Sequence, residues 1–430
     1  MKKKIALTLL ILVLAAGMLF AGGEQGGPTT LRFSWWGTDA RHEATLAAIA
    51  AFERANPSIK IEPEYGSQDG YNAKKTTEFA SRTAPDLMQI ETGAGPEYQR
   101  LGVLYNLSNL SYIKFDKFDP NFLKANGQFG TGSQYAIPTG MAGTALTVNK
   151  TLADKLGIDM TKQYDWDQLI VWGQQVRAAD PSCYLLSVNT QYGMDFFVRA
   201  HARQLIGGPI IDDAGKRLNI TEAQFTQIFD FIDRMYKSGT SAPASYKAPF
   251  NPNDQTDPNW IAGKYVAHVG YTSTAEVVQA ANPSVQYIAG RLPLDANGKG
   301  DGWYNDCPQF MGIYALTKYP EMAAKFFDFF FNTEEAARIL GTVRTIPPTA
   351  MAQKIVVDEK IANPLTVEAT AMSASYSGLS EQQSGGSLTT NQEVQDILRN
   401  LYEEVAYGRM IPAQAAGQAM QRLNAFLARQ

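Results

Sequence analysis

Histidine and cysteine are scarce in this chain, which has 3 and 2 of them among 430 residues. The cysteines, Cys183 and Cys307, are too far apart for a zinc-finger spacing, and so few histidines leave little for a histidine-rich metal site. His42-Glu43 begins like a zinc-protease motif, but Leu46 stands where the second histidine would be. No metal or cofactor is therefore expected. One disulfide and two buried thiols are both consistent with the two cysteines.

Short catalytic motifs are also missing. The chain contains neither a Gly-x-Ser-x-Gly nucleophile elbow nor a Gly-x-x-x-x-Gly-Lys-Ser/Thr phosphate loop. Carboxylates are plentiful, but sequence alone does not place two of them across a glycosidic bond. Because no motif requires catalysis, we expect a binding protein, with an exported carbohydrate-active enzyme as the alternative.

Long apolar runs are limited to the amino terminus. Lys2, Lys3 and Lys4 precede "IALTLLILVLAAGMLF", and small residues follow, which is the pattern of a secretory signal peptide over residues 1–21. Cleavage after Gly23 stays open, as does an uncleaved anchor, since the run falls just short of the ~20 residues that span a bilayer. No cysteine lies near the cleavage region, so the sequence does not predict a lipoprotein.

Positive charge is in short supply once the leader is removed. Lys+Arg then falls from 38 to 35 against 42 Asp+Glu, which leaves a net charge of −7. A mildly acidic exported protein is a poor candidate for nucleic-acid binding. The length predicts two or three domains, and 45% hydrophobic residues indicate an ordinary globular chain.

Strands and helices alternate after the leader. Strands are predicted at "LRFSWW", "IKIEPEY" and "PDLMQI", with helices at "ARHEATLAAIAAFERAN" and "YNAKKTTEFASR" between them. This β-α-β-α-β order predicts a parallel sheet with helices on both faces, and Pro63 places the second strand at an edge. Further on, "GWYNDCPQFMGIYALT" is predicted as one long strand. The run "FFDFFF" is interpreted as helix core or lobe interface.

Five segments together resemble the family 1 extracellular solute-binding proteins, the binding components of ATP-binding-cassette sugar importers. They are "LRFSWWG" with its helix and "NPSIKIEPEY", "TAPDLMQIE", "YAIPTGMAGTALTVNK", "WIAGKYVAHVG" and "GIYALTKYPEMAAKFFDFFFNTEEAARILG" with the tail "AAGQAMQRLNAFL". Their order spans almost the whole mature chain. The early "WWGTDARHEATLAAIAAFE" is similar to members that bind oligosaccharides, including acidic ones derived from pectin.

The resemblance implies an α/β fold of the two-lobe periplasmic-binding-protein type, each lobe a mostly parallel sheet flanked by helices. Hinge strands would cross near Gly143, Gly270 and Gly312. The N-terminal lobe would comprise residues 22–143 and 272–311, and the C-terminal lobe residues 144–271 and 312–430. A ligand would bind between the lobes at the carboxyl ends of the strands.

Two adjacent tryptophans, Trp35 and Trp36, end the first strand. Neighbouring strand residues point to opposite faces, so one indole can pack under the first helix while the other faces the cleft. Trp36 is the preferred cleft residue because it is nearer the strand end. An indole would cover the flat C–H face of a sugar ring, while polar side chains pair with its hydroxyls. Packing of both indoles between layers is the alternative.

Other candidate ligand-binding residues lie near predicted strand ends. They are Asp39, Arg41, Gln68, Asp69, Glu91, Thr92, Tyr192, Asp195, Tyr271, Trp303, Tyr304 and Asp306. Asp39 can instead cap a helix, and Arg41 can reach an acidic sugar or only solvent. Trp303, Tyr304 and Asp306 form the densest aromatic–acid cluster and are predicted to contact ligand rather than core. Arg344 is expected at the surface.

We therefore expect a receptor that captures a carbohydrate, with an oligosaccharide favoured and an acidic one left open, and delivers it to membrane permease subunits. The resemblance also implies a monomer outside the cytoplasm. A third hypothesis keeps the fold with a non-sugar solute such as a polyamine. Nothing in the sequence identifies the sugar.

Overall fold

A computed structural model describes residues 27–68, 70–251, 253–300, 302–303, 305–376 and 387–430, without the side chains of Gln191, Asn305 and Asp306. The strands are β1 (Thr29–Trp36), β2 (Ile59–Gly66), β3 (Leu87–Glu91), β4 (Ala136–Pro138), β5 (Ala142–Asn149), β6 (Tyr184–Ser187), β7 (Ile211–Asp212), β8 (Arg217–Leu218), β9 (Tyr265–Tyr271), β10 (Tyr287–Gly290), β11 (Asn305–Asp306) and β12 (Gln309–Ile313).

Helices flank these strands. They are α1 (Asp39–Ala55), α2 (Tyr71–Ser81), α3 (Gly95–Arg100), α4 (Pro120–Ala125), α5 (Lys150–Lys155), α6 (Trp166–Ala179), α7 (Thr190–Gly193), α8 (Ala200–Ile206), α9 (Glu222–Lys237), α10 (Ala244–Lys247), α11 (Pro258–Ile261), α12 (Ala275–Ala280), α13 (Pro320–Asn332), α14 (Glu334–Leu340), α15 (Ala350–Asp358), α16 (Pro364–Ala374), α17 (Gln392–Ala406) and α18 (Pro412–Leu427). A π-helix over Met194–Arg199 joins α7 to α8.

The first sheet has the strand order β2-β1-β3-β12-β4. β1 pairs in parallel with both β2 and β3, as the alternation of strands and helices predicts. The predicted edge position of the second strand is confirmed, since Pro63 lies in β2, where its missing N–H costs no ladder bond on the open side.

The second sheet has the order β10-β5-β9-β6, with β11 also beside β5. Among the described strands of this sheet, only β6 and β9 pair in parallel, while β5 is antiparallel to β9, β10 and β11. In the first sheet β12 is antiparallel to β3 and β4. Strands that enter directly from the other sheet have no crossover helix to return them to the starting edge, so they run against their neighbours. The α/β class is thus confirmed, but the sheets are mixed rather than mostly parallel. The one long strand predicted near residues 302–317 is instead the short pair β11 and β12.

Packing divides the chain differently from the expected lobe boundaries. β10 pairs with β5, and Trp303 is buried in the core around the second sheet, so residues 272–303 lie with that sheet. α13 and α14 pack on the first sheet, where Phe326 lies 5.6 Å from Phe33 between ring centroids. The chain therefore passes between sheets at 139–141, after Trp303, and between α15 and α16. The predicted core role of "FFDFFF" is confirmed.

Two further expectations concern the cysteines and the leader. Cys183 and Cys307 are both buried and form no disulfide, and they lie in different hydrophobic clusters. The predicted signal peptide, residues 1–21, lies outside the described residues. Among the helices that the structure describes, none combines the length and the apolar character that a bilayer crossing requires.

Candidate functional site

A cavity of about 470 Å³ opens where strand ends of the first sheet meet the second sheet. β1, β2 and β3 are parallel and β12 is antiparallel to β3, so the carboxyl ends of β1, β2 and β3 lie at the same edge of the sheet as the start of β12. Ser273, which follows β9, lines the cavity from the second sheet. The lining residues are Trp36, Gly37, Thr38, Arg41, Ser67, Gln68, Glu91, Ser273, Pro308, Gln309, Thr342, Val343, Arg344 and Thr345. The volume lies within the range of ~300–1,000 Å³ that ligand pockets occupy.

The two adjacent indoles point to different environments. Trp35 is 0% exposed, stacks on Tyr65 at 5.0 Å, and donates from Nε1 to Nδ1 of His42 in α1 at 3.1 Å. Trp36 packs against Tyr71 at 4.8 Å and lines the cavity. Only 6% of Trp36 is exposed, so it offers the cavity a small part of its surface in this conformation. Trp35 does not line this cavity, and ligand contact by either indole stays a prediction.

Arg41 ties three segments of the cavity wall together. Its Nε donates to the Val343 carbonyl at 3.0 Å, and its NH1 donates to the Trp36 carbonyl at 3.2 Å and to Oε1 of Gln309 at 3.4 Å. A Cβ on Gly37 would lie 2.4 Å from Cδ of Arg41, so glycine there lets the side chain cross the end of β1. Burial lowers the pKa of Arg41 to about 10, still high enough for a full positive charge at neutral pH.

Arg344 is a second buried guanidinium in the same wall, and the expectation of a surface arginine is wrong. It is 5% exposed, donates from NH2 to Oγ1 of Thr45 at 2.9 Å and from Nε to Oε1 of Gln89 at 3.4 Å, and lies over the ring of Phe330. Burial lowers the pKa of Arg344 well below its usual value, and the charge of Arg41 adds to this. In the part of the chain that the structure describes, no carboxylate forms an ion pair with either guanidinium.

The segment that carries Arg344 is backbone-strained. Thr345 has φ of +89°, which is an outlier for a β-branched residue. Its Oγ1 donates to the Met141 carbonyl at 2.7 Å, and the Met141 N–H donates to the Ile346 carbonyl at 2.9 Å. These hydrogen bonds join the cavity wall to the segment at 139–141, where the chain first passes between the sheets. Strain of this kind gathers at ligand sites, where the surrounding structure enforces it.

Glu91 ends β3 and lines the cavity, where it accepts from Nε2 of Gln68 at 2.7 Å and from Nδ2 of Asn72. Thr92 does not line it, and its hydroxyl donates to the carbonyls of Cys307 and Pro308 at 3.2 and 3.0 Å. A bridging role between β3 and the strand entering at β12 explains Thr92 better than a ligand contact. Asp39 is exposed in the first turn of α1 and lies outside the cavity lining, where its charge complements the helix dipole.

Three predicted residues of the second lobe lie together. The Tyr271 hydroxyl donates to Asp195 at 2.5 Å, the Tyr192 ring meets the Tyr271 ring edge-on at 4.9 Å, and Arg199 pairs with Asp195 at 2.7 Å. Tyr271 follows directly into the Thr272–Thr274 turn that brings Ser273 to the cavity. The side chains of Tyr192, Asp195 and Tyr271 are only partly buried, so their contact with a ligand stays a prediction.

The predicted cleft role of Trp303 is wrong. Its indole is 0% exposed, packs against Phe196 at 4.6 Å, and donates from Nε1 to the Pro293 carbonyl at 3.0 Å. An indole with no exposed face cannot cover a sugar ring in this conformation. Tyr304 and Asp69, together with the side chain of Asp306, lie outside the described residues.

A buried ionic network behind the second-lobe edge was not foreseen. Lys247 is fully buried and contacts Asp254 and Asp257, each at 2.7 Å. Asp254 also meets Nε2 of His268 at 3.1 Å and accepts from Asn189, whose side chain caps α7. Burial raises the pKa of Asp254, but the hydrogen bond and charge of His268 and then the charge of Lys247 outweigh it and hold the pKa at about 2. The network fixes the helix start that carries Tyr192.

The described residues hold no cluster of three or more His, Cys, Asp or Glu side chains suited to a metal ion.

A sequence profile described as bacterial extracellular solute-binding protein matches residues 47–369, more than half of the chain. The chain belongs to the bacterial extracellular solute-binding protein family. Membership confirms the predicted resemblance and implies an extracytoplasmic location and a binding function.

Solved structures share this fold across nearly all of the solute-binding protein. A periplasmic solute binding protein from Pectobacterium atrosepticum is 26% identical, has a TM-score of 0.82, and covers 93% of this chain and 99% of its own. An extracellular solute-binding protein of family 1 from Alicyclobacillus acidocaldarius is 25% identical at a TM-score of 0.72, with 94% and 100% covered. A periplasmic oligogalacturonide binding protein from Yersinia enterocolitica, solved with saturated digalacturonic acid, is 23% identical at a TM-score of 0.80, with 93% and 99% covered. At that identity the likeness shows the fold.

Proposed function

We propose that this solute-binding protein captures an acidic oligosaccharide, of the oligogalacturonide type, between its two sheets and delivers it to the permease of an ATP-binding-cassette importer. The protein releases its ligand unchanged, as a receptor rather than an enzyme. The observation that carries the proposal is Arg41, a charged guanidinium lining the cavity and held only by neutral oxygens among the described residues. Its natural complement is a ligand carboxylate, because guanidinium–carboxylate hydrogen bonds are charge-assisted.

Arg344 strengthens this argument. A second guanidinium in the same wall, also without an ionic partner among the described residues, raises the local positive potential that an anionic ligand would neutralise. The two guanidiniums outnumber Glu91, the one carboxylate among the described lining residues, and the resulting net positive charge weighs against a polyamine. Family membership and the oligogalacturonide ligand of the Yersinia enterocolitica protein support the class of solute.

Isothermal titration calorimetry on the purified mature chain tests the proposal, with digalacturonate and maltose as charged and neutral disaccharides. We expect digalacturonate to bind and maltose to bind far more weakly. R41Q is expected to weaken digalacturonate binding about tenfold or more, since a hydrogen bond to a charged group contributes about 1.5–3 kcal/mol. W36A is also expected to weaken it, because the indole face that would cover a sugar ring is removed.

R54Q is the matched control, because Arg54 lies exposed at the other end of α1 and pairs with Glu335 at 3.2 Å. It should bind like the parent. Binding of maltose but not digalacturonate would refute the acidic ligand. Steady release of new reducing ends from oligogalacturonides would refute the receptor and favour the glycosidase alternative.

A further inference from the structure

A second cavity of about 240 Å³ adjoins the first at the outer edge of the first sheet. We call it the β2-edge groove, and its lining residues are Ser34, Trp35, Glu64, Tyr65, Gly66, Ser67, Gly70, Tyr71 and Lys74. Ser67 lines both cavities, so the two adjoin where the chain leaves β2. β2 is the edge strand, and no further strand among the described residues covers this side of the sheet.

Two glycines near the end of β2 have open space around their Cα atoms. A Cβ built on Gly66 would meet no atom within 4 Å, and the same holds for Gly70. Gly66 ends β2 opposite Trp36, the indole that lines the main cavity. A chain of sugar rings that starts beside Trp36 would therefore meet no side chain at Gly66 on its way to the groove.

The groove offers an aromatic ring and a cation. Tyr65 is 49% exposed, yet its ring is held by stacking on Trp35 at 5.0 Å and by His42 at 4.5 Å. A ring fixed in this way loses little conformational entropy when it meets a sugar face. Lys74 is also largely exposed, and its Nζ is 3.6 Å from Glu64 and from Glu78, too far for a direct hydrogen bond. Its donors remain available to a ligand carboxylate.

We propose that the β2-edge groove is a subsite for the units of an acidic sugar chain beyond the two that occupy the main cavity. The third unit passes over Gly66, its ring faces Tyr65, and its carboxylate lies near Lys74. The inference rests on the proposed function, since it takes the same ligand class. It makes the protein selective for oligomers rather than for the disaccharide.

Calorimetry with di-, tri- and tetragalacturonate tests the subsite in the parent and in three variants. Y65A removes the ring, and G66F fills the groove from a position with open space around it. Y319A is the control, because Tyr319 is 40% exposed at the start of α13, away from both cavities. The parent should bind the trimer about tenfold more tightly than the dimer, as one added ring contact and one ion pair allow.

Y65A and G66F should lose that gain and keep the affinity for digalacturonate, whereas Y319A should keep both. Equal affinity of the parent for all three ligands, or a gain that survives in both Y65A and G66F, would overturn the subsite. Failure of the parent to bind digalacturonate would instead overturn the proposed function, and with it the ligand class of the groove.

Discussion

Replacing Lys247 with methionine tests how the second-lobe edge is held. The ammonium is fully buried and 2.7 Å from carboxylate oxygens of both Asp254 and Asp257. Methionine fills similar space but leaves two buried negative charges without their shared cation. Asp257 keeps hydrogen bonds from Tyr246 at 2.8 Å and Tyr265 at 3.0 Å, and these do not replace a full charge. Breaking a buried ion pair on one side typically costs about 3–5 kcal/mol.

Urea unfolding followed by far-UV circular dichroism measures this loss, with the free energy of unfolding taken by linear extrapolation. K237M is the matched control, because Lys237 is 72% exposed and its pair with Asp233 at 2.7 Å is solvated. That variant should lose less than about 1 kcal/mol. A loss in K247M no larger than in K237M would refute the reasoning that the buried network stabilises the second lobe.

Three further predictions concern charge and strain. The pKa of Asp254 is about 2 when folded and has a reference of 3.8, so its stabilisation is present above about pH 4 and is lost as pH falls towards 2. This pKa difference corresponds to about 2 kcal/mol of folding free energy. Acid unfolding of D254N should lack this pH-dependent stabilisation. Parallel acid-unfolding profiles of D254N and the parent would contradict the prediction. R344M removes a buried cation, so thermal unfolding should show stability maintained or raised while calorimetry shows about tenfold weaker digalacturonate binding. A destabilised R344M with unchanged affinity would mean that Arg344 is structural. T345G relieves the strain of the positive φ, which costs about 1–3 kcal/mol, and loses one hydrogen bond, which contributes about 1 kcal/mol. T345S keeps the strain, so urea unfolding should show T345G to be at least as stable as T345S. The reverse order of stability would contradict the strain argument.

Local patterning predicted the part of the site that local geometry controls. The alternation of side chains along a strand separated Trp35 from Trp36, and the β-α-β-α-β order brought the ends of β1, β2 and β3 to one edge. Arg41 lies in the first turn of α1, which begins just after the end of β1. Its presence at the cavity was therefore predictable from its position in the sequence. What remained open was whether it faces solvent or ligand, because its acceptors Gln309 and Val343 are distant in sequence.

Burial across long sequence separations was not predictable. Trp303 stands beside acidic and polar residues, which is typical of a sugar site, but Pro293 and Phe196 enclose its indole. Arg344 was expected at the surface because arginines usually lie there, and its partner Thr45, 299 residues away, gave no local signal of burial. The lobe boundary failed for the same physical reason, since α13 and α14 return to a sheet begun near residue 29.

We propose above all that Arg41 binds a ligand carboxylate. Calorimetric titration of the unmodified protein with digalacturonate and with its dimethyl ester tests this directly, because the ester keeps the sugar rings and removes both charges. We expect the ester to bind about tenfold more weakly or worse, and we expect much of that difference to be lost in R41Q. Equal affinity for the acid and the ester would contradict the account.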